Sequence, residues 1–285
     1  MSKRTTVVHR IWRILEAWRL GRMLMLAVIT GSTAYGFGAA LPQALRAAAI
    51  AALLALGGFY LDYLADWRKD RDSGKLLNPL ATGELSIPAA WVFVAIGVGG
   101  SLALALLASP LMALPVLGVV AIVGGLGIGW LDTPVLRAFS LGAIQALYVL
   151  IGGLAAGRAS LGVWLTALYL FFAMTGGKIM GDVRDLPHDT RAGTLTIPQK
   201  YGLRWASAFL LINELLAYGA ALSVYLVGAL GSGYLYCILA TILSGVVINA
   251  IFIRNPIPKI ADITNKLSFI GLGSLYVLGM ILGRL

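Results

Sequence analysis

The sequence predicts an all-α, polytopic membrane protein: nine transmembrane helices around a central cavity, with Asp-rich loops on the cytoplasmic side. Three observations predict it. Of the 285 residues, 59% are hydrophobic and only 12% charged, against about 25% charged in a soluble domain. Apolar runs of roughly 20 residues, enough to cross a hydrocarbon core of about 30 Å, recur along the whole chain. The 12 acidic residues are concentrated, eight of them (Asp62, Asp66, Asp70, Asp72, Glu84, Asp182, Asp185 and Asp189) standing in two regions.

Residues 1–21 read as a basic amphipathic segment. Val8, Ile11, Trp12, Leu15 and Trp18 share one helical face, with Arg10 and Arg13 elsewhere, a pattern suited to the membrane interface. Residues 22–285 read as a single membrane domain with spans near 22–41, 45–65, 88–108, 111–130, 138–157, 161–181, 206–228, 233–253 and 266–284. Pro110 and Pro115 mark the tight third connection, and the 35 glycines suit close helix packing in lipid. The first apolar run is too long for a signal peptide and lacks a small-residue cleavage site. With one cysteine, Cys237, and two histidines, His9 and His188, neither a disulfide nor a Cys- or His-based metal cluster is expected.

The net charge of +10 does not imply nucleic acid, because Lys and Arg also set membrane orientation. With the N-terminus cytoplasmic, 19 basic residues fall on the inner side, and only Arg46, Arg158 and Arg284 fall on the other. That bias predicts a multi-pass protein with its N-terminus and both acidic stretches cytoplasmic and its C-terminus opposite.

The acidic stretches end spans two and six. Asp62, Asp66 and Asp70 are four apart, as are Asp185 and Asp189, with Asp182 preceding them; aspartates at this spacing stack on a helix face. Like charges so placed need counter-ions. Mg²⁺ suits them, since it takes one or two carboxylates and completes its shell with substrate phosphate. All six aspartates are therefore candidate metal ligands, for two Mg²⁺ ions, with Asp62, Asp66, Asp185 and Asp189 as the candidate catalytic set. Nearby Arg68, Lys69, Lys75, Lys178, Arg184 and Arg191 could meet a phosphorylated ligand directly.

At these residues the chain resembles the UbiA-type intramembrane prenyltransferases, over nearly its whole length. The family's first motif, N-x-x-x-D-x-x-x-D followed by a segment like R-P-L-A-S-G, corresponds to Asp62, Asp66 and Asp70, then Asn78-Pro-Leu-Ala-Thr-Gly83. Its second, D-x-x-D-x-x-x-D followed by a Gly and T-L-P-x-x-x-G, corresponds to Asp182, Asp185 and Asp189, Gly193, and the stretch from Leu195 to Gly202. Two positions depart: the usual Asn is Asp62, and the usual Arg before the Pro is Asn78. The resemblance implies Mg²⁺-dependent transfer of an isoprenoid chain from a polyprenyl diphosphate to a small or lipid acceptor within the bilayer.

The resemblance also implies that aromatic faces shield an allylic cation; Tyr60, Tyr63, Trp67 and Tyr148 are the candidates. Arg137, after Asp132-Thr-Pro134, stands where the family often carries a basic residue near the substrate mouth. Glu214 lies about eight residues into span seven, a depth at which an ionisable group is a functional candidate by default; a substrate-facing role and a helix that starts later both fit. Lys178 and Asp182 are spaced to pair, and His188 reads as a solvated loop residue. A terpene cyclase on the same scaffold would need the same ionisation site. A transporter would instead carry charges near the bilayer midplane and broken helices, and Glu214 is the one clear charge of that kind.

Overall fold

The computed structural model describes residues 19–72, 74, 78–191 and 193–285. The amphipathic segment expected over residues 1–21 lies, up to residue 18, outside them. The described residues form nine long helices and no strand. They are α1 (Leu20–Gly36), α2 (Leu41–Asp72), α3 (Ile87–Ala108), α4 (Pro110–Gly127), α5 (Pro134–Ala155), α6 (Leu161–Arg191), α7 (Ile197–Leu226), α8 (Ser232–Arg254) and α9 (Pro258–Leu282). The last eight are long and apolar enough to cross a membrane, and α1 follows with 17 residues. Proline sits in the first turn of α3, α4, α5, α7 and α9, where its missing N–H would have had no helical partner.

Consecutive helices pack on one another and α9 returns to α1, closing a ring, while α1 also packs on α5. Leu107 (81% exposed) and Leu243 (69%) point outward, as expected where the solvent is lipid. Close approach falls at glycine. A Cβ on Gly97, inside the π-turn Ala95–Gly99 of α3, would meet the backbone nitrogen of Gly57 on α2 at 2.3 Å, so only a bare backbone fits there.

Three helices exceed the lengths expected from hydropathy. Helix α2 has 32 residues and α6 has 31, about 48 and 46 Å at 1.5 Å per residue, against a core of about 30 Å. Their polar C-terminal turns, which carry the acidic stretches, continue the helices where the sequence suggested loops. Helix α7 begins at Ile197, with a kink at Gly202 (φ 83°), rather than near 206. The ends of α2 and α6, the start of α5 and the connection into α7 meet at one end of the ring.

Candidate active site

At that meeting point lies a cavity of about 170 Å³. Its walls are Asp66, Lys69 and Asp70 from α2, Pro134 and Arg137 from α5, Lys178, Asp182, Asp185, His188 and Asp189 from α6, and Thr194 to Thr196 from the connection into α7. Five carboxylates thus face three cationic side chains.

The two acidic stretches reach the cavity by different geometry. Residues on an α-helix advance by about 100° each. Spacings of three then four, as from Asp182 through Asp185 to Asp189, return within about 20° of the starting direction, and all three line the cavity. Two spacings of four drift by about 80°, so Asp62 stands well around α2 from Asp70 and some 12 Å further along the axis. Asp62 is not in the cavity wall. It accepts from Nη1 of Arg19 at 3.2 Å, while Arg19 Nε donates to the Tyr63 hydroxyl at 3.1 Å and the guanidinium covers the Tyr63 and Phe59 rings.

Asp70 is buried, and Asn78 reaches it from the following loop. The Asn78 amide donates to Asp70 Oδ2 at 3.0 Å and to the Tyr63 carbonyl at 3.1 Å, and its Oδ1 accepts from Leu80 N–H at 3.1 Å. The residue standing where the family carries arginine therefore clamps the loop onto the motif. On α6, Asp182 is buried and paired with Lys178. Arg184 grips Asp185 with two 2.7 Å hydrogen bonds, from Nε and Nη2. His188, expected in a solvated loop, is helical, lines the cavity and places Nδ1 3.7 Å from Asp189.

Of the candidate cations, Lys69, Lys178 and Arg137 reach the cavity. Arg137 pairs with Asp132, while its Nε is buried with no hydrogen-bond partner among the described residues. Arg68 and Arg71 lie over the Trp67 ring. Arg184 and Arg191 are outside the wall, Arg191 donating to the Pro187 carbonyl at 3.2 Å, and Lys75 lies outside the described residues. Three further candidates are placed elsewhere. Tyr148 is fully buried in the core with Ile50, Leu54 and Ile151, eleven residues beyond Arg137 on α5, because its ring completes the packing of α5 on α2. Tyr60 stacks on Phe93 at 4.6 Å. Glu214 is buried well into α7, one turn before Tyr218, whose hydroxyl accepts from the Asn249 amide at 3.3 Å. It faces Gly176 on α6, six residues and so about 9 Å from Asp182.

Sequence reading passed over Thr194, and it quoted Thr196 only within the Leu195 to Gly202 stretch, with no role in the cavity. Their neighbours tie the ends of α6 and α7 together: Thr194 N–H donates to the Asp189 carbonyl at 2.9 Å, and Gln199 bridges Thr196 N–H (3.1 Å) and the Thr190 hydroxyl (3.2 Å). Gly193, in the left-handed region at φ 65°, makes the turn between them without the strain a Cβ would bring.

Among the described residues no three His, Cys, Asp or Glu side chains stand close enough together to hold an ion unaided. The donor set nonetheless fits a hard cation completed by a second, anionic ligand: carboxylate oxygens in excess, with cationic side chains interleaved.

The fold is shared with solved membrane proteins. The apo structure of a UbiA homologue from Aeropyrum pernix K1 superposes with a TM-score of 0.80 at 22% identity, over 93% of this chain and 98% of that one. A structure described for digeranylgeranylglyceryl phosphate synthase in membranes matches at 0.76 and 19%, over 97% and 99%. A UbiA homologue from Archaeoglobus fulgidus bound to GPP and Mg²⁺ matches at 0.70 and 21%, over 91% and 99%. No curated protein matches the sequence. The model of the UbiA prenyltransferase family matches residues 23–270, and the chain therefore belongs to that family.

Proposed function

We propose that this prenyltransferase binds a polyprenyl diphosphate with Mg²⁺ in the cavity between α2 and α6, and transfers the prenyl chain to an acceptor inside the membrane. The observation that carries the reading is the meeting of Asp66 and Asp70 with Asp182, Asp185 and Asp189 around one cavity that also holds Lys69, Lys178 and Arg137. The Archaeoglobus fulgidus homologue bound to GPP and Mg²⁺ supports the donor class and the metal.

In this reading Asp66, Asp70, Asp182, Asp185 and Asp189 hold two Mg²⁺ ions, which supply charge neutralisation for the departing diphosphate. Lys69, Lys178 and Arg137 donate to phosphate oxygens, where negative charge grows as the allylic C–O bond breaks and its electron pair leaves with the diphosphate. The acceptor nucleophile then bonds to the allylic carbon and releases a proton. Asn78 and Arg184 keep Asp70 and Asp185 oriented, as outer hydrogen-bond partners of metal ligands do. The basic residues clustered at this end of the ring support a cytoplasmic cavity.

The test measures binding of geranyl, farnesyl and geranylgeranyl diphosphates to the purified protein with and without Mg²⁺, followed by product analysis. Mg²⁺-dependent binding is expected, with slow turnover until an acceptor is added. Binding indifferent to Mg²⁺, or none to any donor, would sink the reading. A cyclic hydrocarbon formed without acceptor would replace transfer by cyclisation.

A further inference from the structure

Two donors in residues of the cavity wall are buried without an acceptor among the described residues: Nε of Arg137 and the hydroxyl of Thr196. Thr196 is 4% exposed. The capping box that opens α7 turns its hydroxyl oxygen toward the backbone N–H of Gln199, a contact that leaves the hydroxyl proton unused. A buried polar group left in this state is costly, and the groups around it indicate what would satisfy it. The backbone N–H of Thr196 is already taken by Gln199 and that of Thr194 by Asp189, so the side chain remains the available donor of residue 196. Its position is held from both sides, by the tie between α6 and α7 and by burial.

We infer that Thr196 is a diphosphate-binding residue, donating its hydroxyl proton in a hydrogen bond to a phosphate oxygen of the bound donor. The inference rests on the donor reading above. Its physical logic is that this cavity must hold cations and an anion together. Each added Lys or Arg that attracts the diphosphate also repels the metal, whereas a neutral hydroxyl strengthens anion binding and leaves the cation sites unopposed. The donor is set in advance by the Gln199 tie, so little side-chain freedom is lost on binding. The acidic motifs are thus completed by the threonine of the segment that follows the second one.

The experiment compares wild type, Thr196→Val and Thr196→Ser, each purified in full length and checked for folding by its unfolding midpoint. Affinity for geranyl, farnesyl and geranylgeranyl diphosphates is measured in Mg²⁺. Valine keeps the shape and removes the donor, so Kd is expected to rise about tenfold, in line with a hydrogen bond to a charged group; serine, which keeps the hydroxyl, is expected to stay within about threefold of wild type. Equal affinity of wild type and Thr196→Val would overturn this inference alone. So would serine binding as weakly as valine, since that would assign the effect to the methyl group. Absence of binding by wild type itself would overturn the donor reading and this inference with it.

Discussion

The ends of α2 and α6 carry the same residue type at nearly the same spacing, yet the structure uses them differently. On α6 all three aspartates face one cavity. On α2 only Asp66 and Asp70 do so, and Asp62, with a side chain 46% exposed, is drawn off by Arg19. The difference is one residue of spacing. Three plus four follows a helix face, and four plus four winds away from it. Individual partners differ as well: on α2 a neutral amide, Asn78, reaches back from the following loop to Asp70, while on α6 the charged Lys178 and Arg184 of the same helix pair with Asp182 and Asp185.

Substitution should separate these roles. The largest effect is expected inside the cavity from both helices alike: Asp66→Ala and Asp189→Ala should each lower kcat by roughly 10²–10³-fold, the scale on which loss of one preorganised electrostatic group acts, with the unfolding midpoint little changed. If only the α6 variant lost activity, the two-sided site would be wrong. An intermediate effect is expected at the supports. Asn78→Ala and Arg184→Gln should lower activity about 10- to 100-fold, as outer-partner substitutions at metal sites do, and more Mg²⁺ should recover part of it. Asn78→Ala should also lower the unfolding midpoint, because it leaves Asp70 buried without that donor; an unchanged midpoint would deny it the clamping role.

The smallest effect is expected at Asp62. Asp62→Asn should retain activity within about threefold, since its side chain is nearly half exposed and outside the cavity wall. A hundredfold loss would return Asp62 to the metal site. Arg19→Met should be more harmful in the wild-type background than when combined with Asp62→Asn, a difference that a double-mutant cycle would read directly.

The sequence by itself determined the membrane class, the nine spans and the two acidic ends, because hydropathy and charge act locally: a lipid-facing segment must be apolar along about 20 residues wherever it sits. It also contained the distinction between the motifs, since helical phase follows from spacing alone. Only the tertiary structure decided which aspartates share a cavity, because that depends on how α2, α5, α6 and α7 converge. It also placed Tyr148 in the α2–α5 core and His188 on the cavity wall, and brought the Asn78 amide to Asp70 and the Tyr63 carbonyl. The role of Thr196, a residue already within the second motif's trailing segment, stayed invisible for the same reason. A threonine before Ile-Pro reads as an ordinary helix start, and its unused hydroxyl proton acquires meaning from the carboxylates and cations that three other helices bring beside it.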